Sequence, residues 1–263
     1  MIIGSHVDRT DPVGEARARG AQAAQIFLGD PQSFKDVSVA HPGGAAGLRE
    51  EAAEAGVDLY VHSHYVINVA STNNRIRIPS RKLLQRIVDL AAEVGARGVV
   101  VHGGHVTKDE DPEIGFDNWR KCIDGLDLAV PILIENTAGG TKAMARGVDR
   151  IAQLWQAVSA AAGGDRVGFC LDTCHAYAGG EQLAGLVERI TAATGRIDLV
   201  HANDSRDAFD SGADRHANLG AGSLPADDLV ALVREAGAPV IVETPGGAAE
   251  QGTDIGWLRE RLG

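Results

Sequence analysis

The sequence predicts an α/β fold, a closed (β/α)8 or TIM barrel, and two observations lead to it. Short apolar runs rich in Val, Ile and Leu recur roughly every 20 to 40 residues, and each is followed by a stretch of helical period. Strands that are apolar on nearly every residue are buried on both faces, as in a parallel sheet covered by helices. Because eight such units fill the chain, right-handed crossovers favour a closed barrel, formed by residues 1–263 as a single domain.

Eight apolar runs, each bounded by Gly, Pro or polar residues, are the predicted strands. They are Ile2–Ile3, Ala24–Leu28, Leu59–Val61, Gly98–Val101, Pro131–Ile134, Val167–Leu171, Ile197–Val200 and Pro239–Val242. The helices predicted between them are Gly14–Ala23, Gly47–Ala55, Ser80–Val94, Phe116–Leu128, Val148–Ala161, Glu181–Thr194, Pro225–Glu235 and Asp254–Leu262. Gly56, Gly95, Gly195 and Gly237 stand where a helix end favours a left-handed residue. An open doubly wound sheet is the alternative, but no glycine-rich phosphate loop follows the first strand.

Composition limits the classes of function. The formal net charge of −11 has the wrong sign for binding nucleic acid through overall charge, so any contact with DNA must be local. The cysteines Cys122, Cys170 and Cys174 form no CxxC pair, and the first residues resemble no signal peptide. No apolar run approaches the length of a membrane helix. We therefore expect a cytoplasmic protein that does not enter a membrane.

Six consecutive predicted strands are each followed at once by a histidine or a carboxylate. These residues are His62, His102, Glu135, Asp172, His201 and Glu243. Because the carboxyl ends of barrel strands open at one rim, where the active sites of this fold lie, we expect the six side chains to converge there. His175 follows Asp172 by three residues, and Asp214 and His216 lie two residues apart, on one side of the chain if that loop is extended.

These nine side chains have the composition of a zinc or manganese site, since imidazole and carboxylate ligands suit both metals. Nine ligands exceed the needs of one ion, so two or three ions sharing a carboxylate are expected. Three divalent ions and four carboxylates have a net charge of about +2, which would attract a phosphodiester. A single strand-end histidine is more often a hydrogen-bonded rim residue, but six successive strand ends favour metal. For Asp214 and His216, in a loop, both interpretations stay open.

A basic run, NNRIRIPSRK, contains Arg75 and Arg77 in an otherwise acidic chain. It is compatible with a solvated helix start and equally with contacts to phosphates. Both interpretations stay open from the sequence.

Together the motifs resemble the endonuclease IV family, the zinc-dependent apurinic/apyrimidinic endonucleases of DNA repair, from end to end of the chain. The motifs are VHSHYVINVAS at His62, VHGG at His102, ENTAGG at Glu135, LDTCHAYAGG at Asp172 and His175, HANDS at His201, DRHANLGAG at Asp214 and His216, and VETPG at Glu243. Their order and spacing make the resemblance specific. The RIPSRK stretch is similar to the actinobacterial branch of the family.

The resemblance implies three zinc ions, with manganese as a partial substitute. It assigns the first to His62, His102 and Glu135, the second to Glu135, Asp172, His201 and Glu243, and the third to His175, Asp214 and His216. It also implies hydrolysis of the phosphodiester 5′ to an abasic site in double-stranded DNA, which leaves a 3′-hydroxyl, and cleaning of blocked 3′ ends by a monomer. Glu135 and Glu243 are the catalytic candidates, since both would lie beside a metal-held hydroxide.

Two loops are expected to contact DNA. Gln32, in FLGDPQSF, occupies the position where the resemblance leads us to expect an arginine that enters the duplex. Tyr65, three residues after His62, is then the stronger candidate to stack where a base is missing. Packing of Tyr65 over the barrel rim is the structural alternative. Asp8, after SHV, is a further departure from the family pattern, and so is the short ENTAGG segment.

Two other functions remain open at this point. A metal-dependent sugar isomerase or epimerase of the xylose-isomerase type would share the barrel and the metal-binding rim. It would need one or two metals and would not need Asp214 and His216. A metal- or DNA-binding protein without catalysis is the third, but every ligand position is filled.

Overall fold

The computed structural model describes residues 1–263 and contains the predicted closed barrel. The strands are β1 (Ile3–His6), β2 (Ala23–Phe27), β3 (Asp58–His62), β4 (Val99–His102), β5 (Ile132–Glu135), β6 (Val167–Asp172), β7 (Leu199–His201), β8 (Asp204–Ser205), β9 (His216–Ala217) and β10 (Val240–Val242). Strands β1 to β7 and β10 pair in parallel around the barrel, which closes where β10 pairs with β1. The remaining strands, β8 and β9, form a separate antiparallel hairpin.

Helices cover the outside of the barrel. They are α1 (Pro12–Ala18), α2 (Gly44–Ala55), α3 (Asn74–Glu93), α4 (Pro112–Ile123), α5 (Val148–Ser159), α6 (Thr173–Ala178), α7 (Leu186–Thr194), α8 (Ala226–Ala236) and α9 (Ala248–Leu262). The four glycines predicted at helix ends all have positive φ, between 62° and 78°. None of these helices is both long and apolar enough to cross a membrane.

The α/β barrel predicted from the sequence is confirmed, with corrections at the boundaries. Helix α3 begins at Asn74, six residues before the predicted start at Ser80, because the side chain of Asn73 accepts a hydrogen bond from the backbone N–H of Arg75 and caps the helix ahead of Pro79. Helix α6 and the β8–β9 hairpin were not predicted, since elements of six and two residues are too short to show a period.

The barrel has two apolar layers, one inside the strands and one between the strands and helices. The inner layer takes one buried side chain from each of seven strands: Ala23, Tyr60, Val100, Leu133, Cys170, Leu199 and Ile241. The outer layer is a cluster of 60 buried residues that includes Val99 and Val101, the neighbours of Val100 in β4. This alternation fixes which residues point into the barrel mouth.

Candidate metal centre

The ligand candidates form the next layer above the inner apolar layer. Side chains two residues apart on a strand point to the same side, so the second residue after each inner core residue also faces the barrel interior. In six strands that residue is a predicted ligand: His62, His102, Glu135, Asp172, His201 and Glu243. In β2 the same position holds Gln25, which is fully buried. Because side chains alternate along each strand, these residues form one polar layer at the mouth of the barrel.

Glu135 lies at the centre of this layer, with no exposed surface. Its Oε2 is 3.3 Å from Nε2 of His62 and 3.1 Å from Nε2 of His102. Its other oxygen, Oε1, is 3.0 Å from Nδ1 of His201. Oε1 is also 3.3 Å from Nδ1 of His175, so the two carboxylate oxygens face two different pairs of histidines, as a bridging ligand requires.

A second group forms around His201 on β7. Nδ1 of His201 is 3.2 Å from Oε2 of Glu243 and 4.0 Å from Oδ2 of Asp172. Together with Glu135, the ligand atoms of these residues all lie within 4.8 Å of one another. Three carboxylates and one imidazole around one space form a donor set that suits a divalent cation.

A third group joins helix α6 to the β8–β9 hairpin. Oδ1 of Asp214 is 3.0 Å from Nε2 of His175 and 3.3 Å from Nε2 of His216. Oδ2 of Asp172 is 3.8 Å from the same nitrogen of His216. The Nε2 atoms of both histidines are buried, and although Oδ1 of Asp214 lies near each of them, the angles do not form a hydrogen bond. Buried polar atoms without partners are costly, so this group fits a metal better than it fits a set of ordinary hydrogen bonds.

Local structure sets His175 and Asp172 in place. Asp172 ends β6 and caps α6, since its Oδ1 accepts a hydrogen bond of 2.7 Å from the backbone N–H of His175. Nδ2 of Asn203 donates to the other oxygen, Oδ2, at 2.7 Å, and Oδ1 of Asn203 accepts from the backbone N–H of Glu243 at 2.8 Å. Asn136 bonds to both the backbone N–H and the carbonyl of Asp172. These hydrogen bonds hold the carboxylate before any metal is bound.

The hairpin that carries His216 is held by one buried carboxylate. Asp204, on β8, accepts hydrogen bonds from the backbone N–H groups of Ser205, Gly220, Gly222 and Leu224 at 2.7 to 3.1 Å. A Cβ added at Gly222 would lie 2.3 Å from Oδ1 of Asp204, so only glycine permits this approach. Asp204 thus fixes the loop that returns from the hairpin.

The charges of the centre depend on one another. Burial by itself would raise the pKa of Glu135, but His201 and His102 beside it hold that pKa well below its usual value. Burial would lower the pKa of His175, but Asp172, Asp214 and Glu135 raise it well above the usual value. Without metal, protons on imidazoles therefore balance the carboxylates, and a metal must displace them.

The centre opens to a cavity of about 260 Å³ whose lining includes Tyr65, Phe27 and His6. Tyr65 is 53% exposed, and its ring centroid lies 5.2 Å from that of Phe27 and 5.7 Å from that of His62. Burial, followed by Glu243 and Glu135, raises the pKa of the Tyr65 hydroxyl to about 12. The exposed ring of Tyr65 therefore lies beside the layer of proposed ligands, and its hydroxyl is protonated at neutral pH.

The other predicted DNA contacts lie outside the cavity. Gln32 is exposed, and the backbone carbonyl of the preceding Pro31 accepts a hydrogen bond of 3.0 Å from the N–H of Tyr65. Arg75 is exposed in the first turn of α3, whereas the guanidinium of Arg77 donates to the carbonyls of Ser71 and Thr72 at 2.9 and 3.0 Å. Gln32 and Tyr65 are thus on adjoining loops, and Arg77 already has partners within the chain.

Sequence reasoning missed His6, Gln25 and the asparagines that hold Asp172. Gln25 lies inside an apolar run, and His6 lies three residues after a run too short to define its end. Side chains alternate between the two faces of a strand, so Gln25 faces the same side as Ala23. That alternation is the signal that would have identified Gln25. Asn136, in the motif ENTAGG, directly follows Glu135, and Asn203, in the motif HANDS, lies two residues after His201.

Comparison with known proteins shows the family of the chain. Residues 13–261 match the family model described as a xylose isomerase-like TIM barrel. A protein of Mycobacterium ulcerans named "Probable endonuclease 4" is 55% identical over 267 residues, which cover 100% of this chain and 99% of the relative. The chain belongs to the endonuclease IV family. A Mycobacterium tuberculosis protein of the same name is 54% identical over 268 residues, with both chains fully covered.

Solved structures agree with the family assignment. Endonuclease IV from Thermus thermophilus superposes with a TM-score of 0.84 at 27% identity, covering 100% of this chain and 99% of that one. A D-tagatose 3-epimerase-like protein superposes with a TM-score of 0.78 at 19% identity and covers 100% and 97%, which shows a shared fold alone. The assignment to the endonuclease IV family made from the motifs is confirmed, and with it the assignment as an enzyme.

Proposed function

We propose that this chain is a DNA-repair endonuclease that hydrolyses the phosphodiester 5′ to an abasic site in double-stranded DNA and leaves a 3′-hydroxyl. We also propose that it removes blocking groups from 3′ ends, acting as a single-domain monomer in the cytoplasm. One observation carries the proposal: three groups of ligand atoms meet at the barrel mouth and share Glu135 and Asp172. A phosphodiester cleaved between several cations needs such an arrangement.

The proposed cofactor is zinc, three ions per chain, with manganese as a partial substitute. The first ion would be held by His62, His102 and Glu135, and the second by Glu135, Asp172, His201 and Glu243. The third would be held by His175, Asp214 and His216, and Asp172 borders this group as well as the second. Bound divalent cations would activate water and neutralise the charge that develops on phosphate and leaving oxygen. The orphaned Nε2 atoms of His175 and His216 support a third ion.

The two catalytic candidates would act differently. Glu135 is fully buried and both of its oxygens face histidines, which supports a role in holding two metals at a fixed separation. The side chain of Glu243 is 16% exposed and lines the cavity, so it is the carboxylate that would touch substrate. We propose that Glu243 orients the attacking water and accepts its proton. Tyr65, at the cavity edge, would stack against the abasic nucleotide.

The proposal is tested by metal content and by cleavage of defined DNA. Zinc-loaded protein should contain three zinc ions per chain by mass spectrometry. It should cut a labelled duplex with a single tetrahydrofuran residue on the 5′ side of that residue, and leave an intact duplex uncut. Substitution His62→Gln should lower both zinc content and cleavage. His41→Gln is the matched control, because His41 pairs with Glu51 outside the metal centre.

The alternative sugar isomerase or epimerase predicts a different result. Two zinc ions or fewer per chain, with interconversion of ketoses and no cleavage at the abasic residue, would overturn the proposed function. The 19% identical epimerase-like structure supports no choice between these activities, because this barrel carries many chemistries.

A further inference from the structure

Gln25 lies in the ligand layer but is not a metal ligand. It is on β2, has no exposed surface, and its amide lies between two of the proposed ligands. Its Oε1 is 2.9 Å from Nε2 of His201, and its Nε2 is 2.7 Å from Oε1 of Glu243. Its Nε2 is also 3.0 Å from Nδ1 of His6. One buried amide therefore contacts three ionisable side chains around the second ligand group.

These partners define the orientation of the amide. A carboxylate accepts hydrogen bonds only, so the NH2 group must face Glu243 and the carbonyl oxygen must face His201. Nε2 of His201 is then the donor. The second N–H of the amide is left for Nδ1 of His6, 3.0 Å away, which accepts it in this orientation. The same nitrogen of His6 lies 3.3 Å from Oε1 of Glu243. The reverse orientation would press the amide oxygen against the carboxylate of Glu243.

The orientation of Gln25 decides which nitrogen of His201 faces the carboxylates. Since Nε2 of His201 is occupied, Nδ1 remains, and it lies 3.0 Å from Glu135 and 3.2 Å from Glu243. A histidine ligand binds metal through the nitrogen that its other hydrogen bond leaves free.

His201 differs in this respect from three other proposed ligands. His62, His175 and His216 each place Nδ1 against a backbone carbonyl, at 2.7, 3.0 and 3.2 Å, and present Nε2 to the centre. Their orientation is set by the main chain and survives side-chain changes. That of His201 depends on the side chain of Gln25.

We propose that Gln25 is a positioning residue of the metal centre, which makes Nδ1 of His201 a ligand and holds Glu243 beside it. This inference rests on the proposed function, because it assigns a role toward the metal held by the second group. Hydrogen bonds to a metal ligand from residues behind it commonly contribute 10- to 100-fold to metal affinity. We expect loss of this magnitude for one of three zinc ions and little change for the others.

The test uses two substitutions of similar side-chain volume. Gln25→Met removes both the acceptor and the donor. Gln25→Glu keeps an acceptor for His201 but loses the donor to Glu243 and adds a repelling charge. Gln251→Met is the matched control. Gln251 is also a buried amide that lines the cavity, but it bonds to Arg19 and to the carbonyl of Thr244 and makes no hydrogen bond to a proposed ligand.

Two measurements on purified zinc-loaded protein separate positioning from mere stability. Competition with a zinc chelator should show about 10- to 100-fold weaker binding of one ion in Gln25→Met and in Gln25→Glu, and wild-type binding in Gln251→Met. A long-range proton–nitrogen correlation spectrum should show one histidine bound through Nδ1 in the wild type and in Gln25→Glu. That signal should be lost in Gln25→Met.

Failure of this inference differs from failure of the proposed function. Wild-type affinity for all three ions and an unchanged histidine spectrum in Gln25→Met would overturn the role of Gln25 while leaving the function intact. Equal weakening of all three ions in Gln25→Met and Gln251→Met would also overturn it, since general destabilisation would explain both. A wild-type chain that holds no zinc would overturn the proposed function before any variant is compared.

Discussion

Oδ1 of Asp214 lies 3.0 Å from Nε2 of His175, so a loop side chain that is 55% exposed reaches a buried helix. Seven of the other proposed ligands lie on barrel strands, on α6 or on the hairpin strand β9, and Glu243 directly follows β10. Only Asp214 lies in a loop away from the barrel strands. The third ligand group therefore depends on a residue that solvent can reach.

We expect Asp214→Asn to reduce the zinc content from three ions per chain to two, because an amide is a weaker metal ligand than a carboxylate. Asp210→Asn is the control, since Asp210 lies in the same loop but pairs with Arg146. Metal analysis after dialysis measures the difference. Three ions retained by Asp214→Asn would show that His175, His216 and Asp172 suffice.

Glu135→Gln and Glu243→Gln should each lower turnover on abasic DNA by at least about 100-fold, since each removes a charge from the reacting region. Glu135→Gln should also lose zinc, because its two oxygens face two histidine groups. DNA binding should persist in Glu243→Gln. Single-turnover cleavage with metal analysis is the measurement, and Glu51→Gln is the remote control. Near wild-type cleavage by a zinc-loaded variant would disprove that residue's role.

The barrel could be predicted from the sequence, and so could the six strand-end side chains that the structure brings together at its mouth, because both follow from local rules. Their role as metal ligands stays a prediction. Strand burial shows as apolar runs, and a polar residue at the end of a run stands out, as at His62 and Glu243. Gln25 escaped because it lies within an apolar run, where only the alternation from Ala23 marks it as facing the interior. The contact between Asp214 and His175 joins residues far apart in the chain, and no local pattern carries it.

Tyr65→Ala should weaken binding to a duplex with a tetrahydrofuran residue by roughly 1 to 3 kcal/mol, the contribution of one stacking contact. Zinc content should not change, since Tyr65 is not a proposed ligand and its ring is tilted by 53° against that of His62, with 5.7 Å between the centroids. Titration of the abasic analogue and of intact duplex at one salt concentration measures the effect. Equal losses on both DNAs would mean that Tyr65 supports binding in general and does not sense the missing base.

The two arginines of the basic run should respond differently to substitution. Arg75 is exposed, so Arg75→Ala should reduce the slope of log affinity against log salt by about 1 if it neutralises one phosphate. Arg77 donates to the carbonyls of Ser71 and Thr72, so Arg77→Ala should lower the free energy of unfolding by about 1 kcal/mol or more. An unchanged salt slope for Arg75→Ala would show that Arg75 contacts no phosphate and belongs to a solvated helix start.

The metal-free protein should lose stability as pH rises above neutrality. Burial opposes charge on His216, but Asp214, Asp172 and Glu243 outweigh it and raise its pKa to about 9. The unfolded value is about 6.5, so the stabilisation is complete below about pH 6.5 and disappears as pH rises to about 9. One such group changes the free energy of unfolding by about 1.4 kcal/mol per pH unit within that window.

Urea unfolding of chelator-treated protein across this pH window tests the prediction. His216→Gln should reduce the slope, and zinc-loaded wild-type protein should lack this contribution, because the metal replaces the proton. The same slope with and without zinc would contradict the link between His216 and the metal.

The four backbone hydrogen bonds accepted by Asp204 form without any cation, and they fix the segment that follows the β8–β9 hairpin, on which His216 lies. The conformational entropy of this segment is therefore lost when the chain folds and not when the proposed zinc ion binds. Synthesis and metal supply need not coincide in time. We expect a chain made during zinc scarcity to keep this segment ordered and to bind the proposed ion when it becomes available.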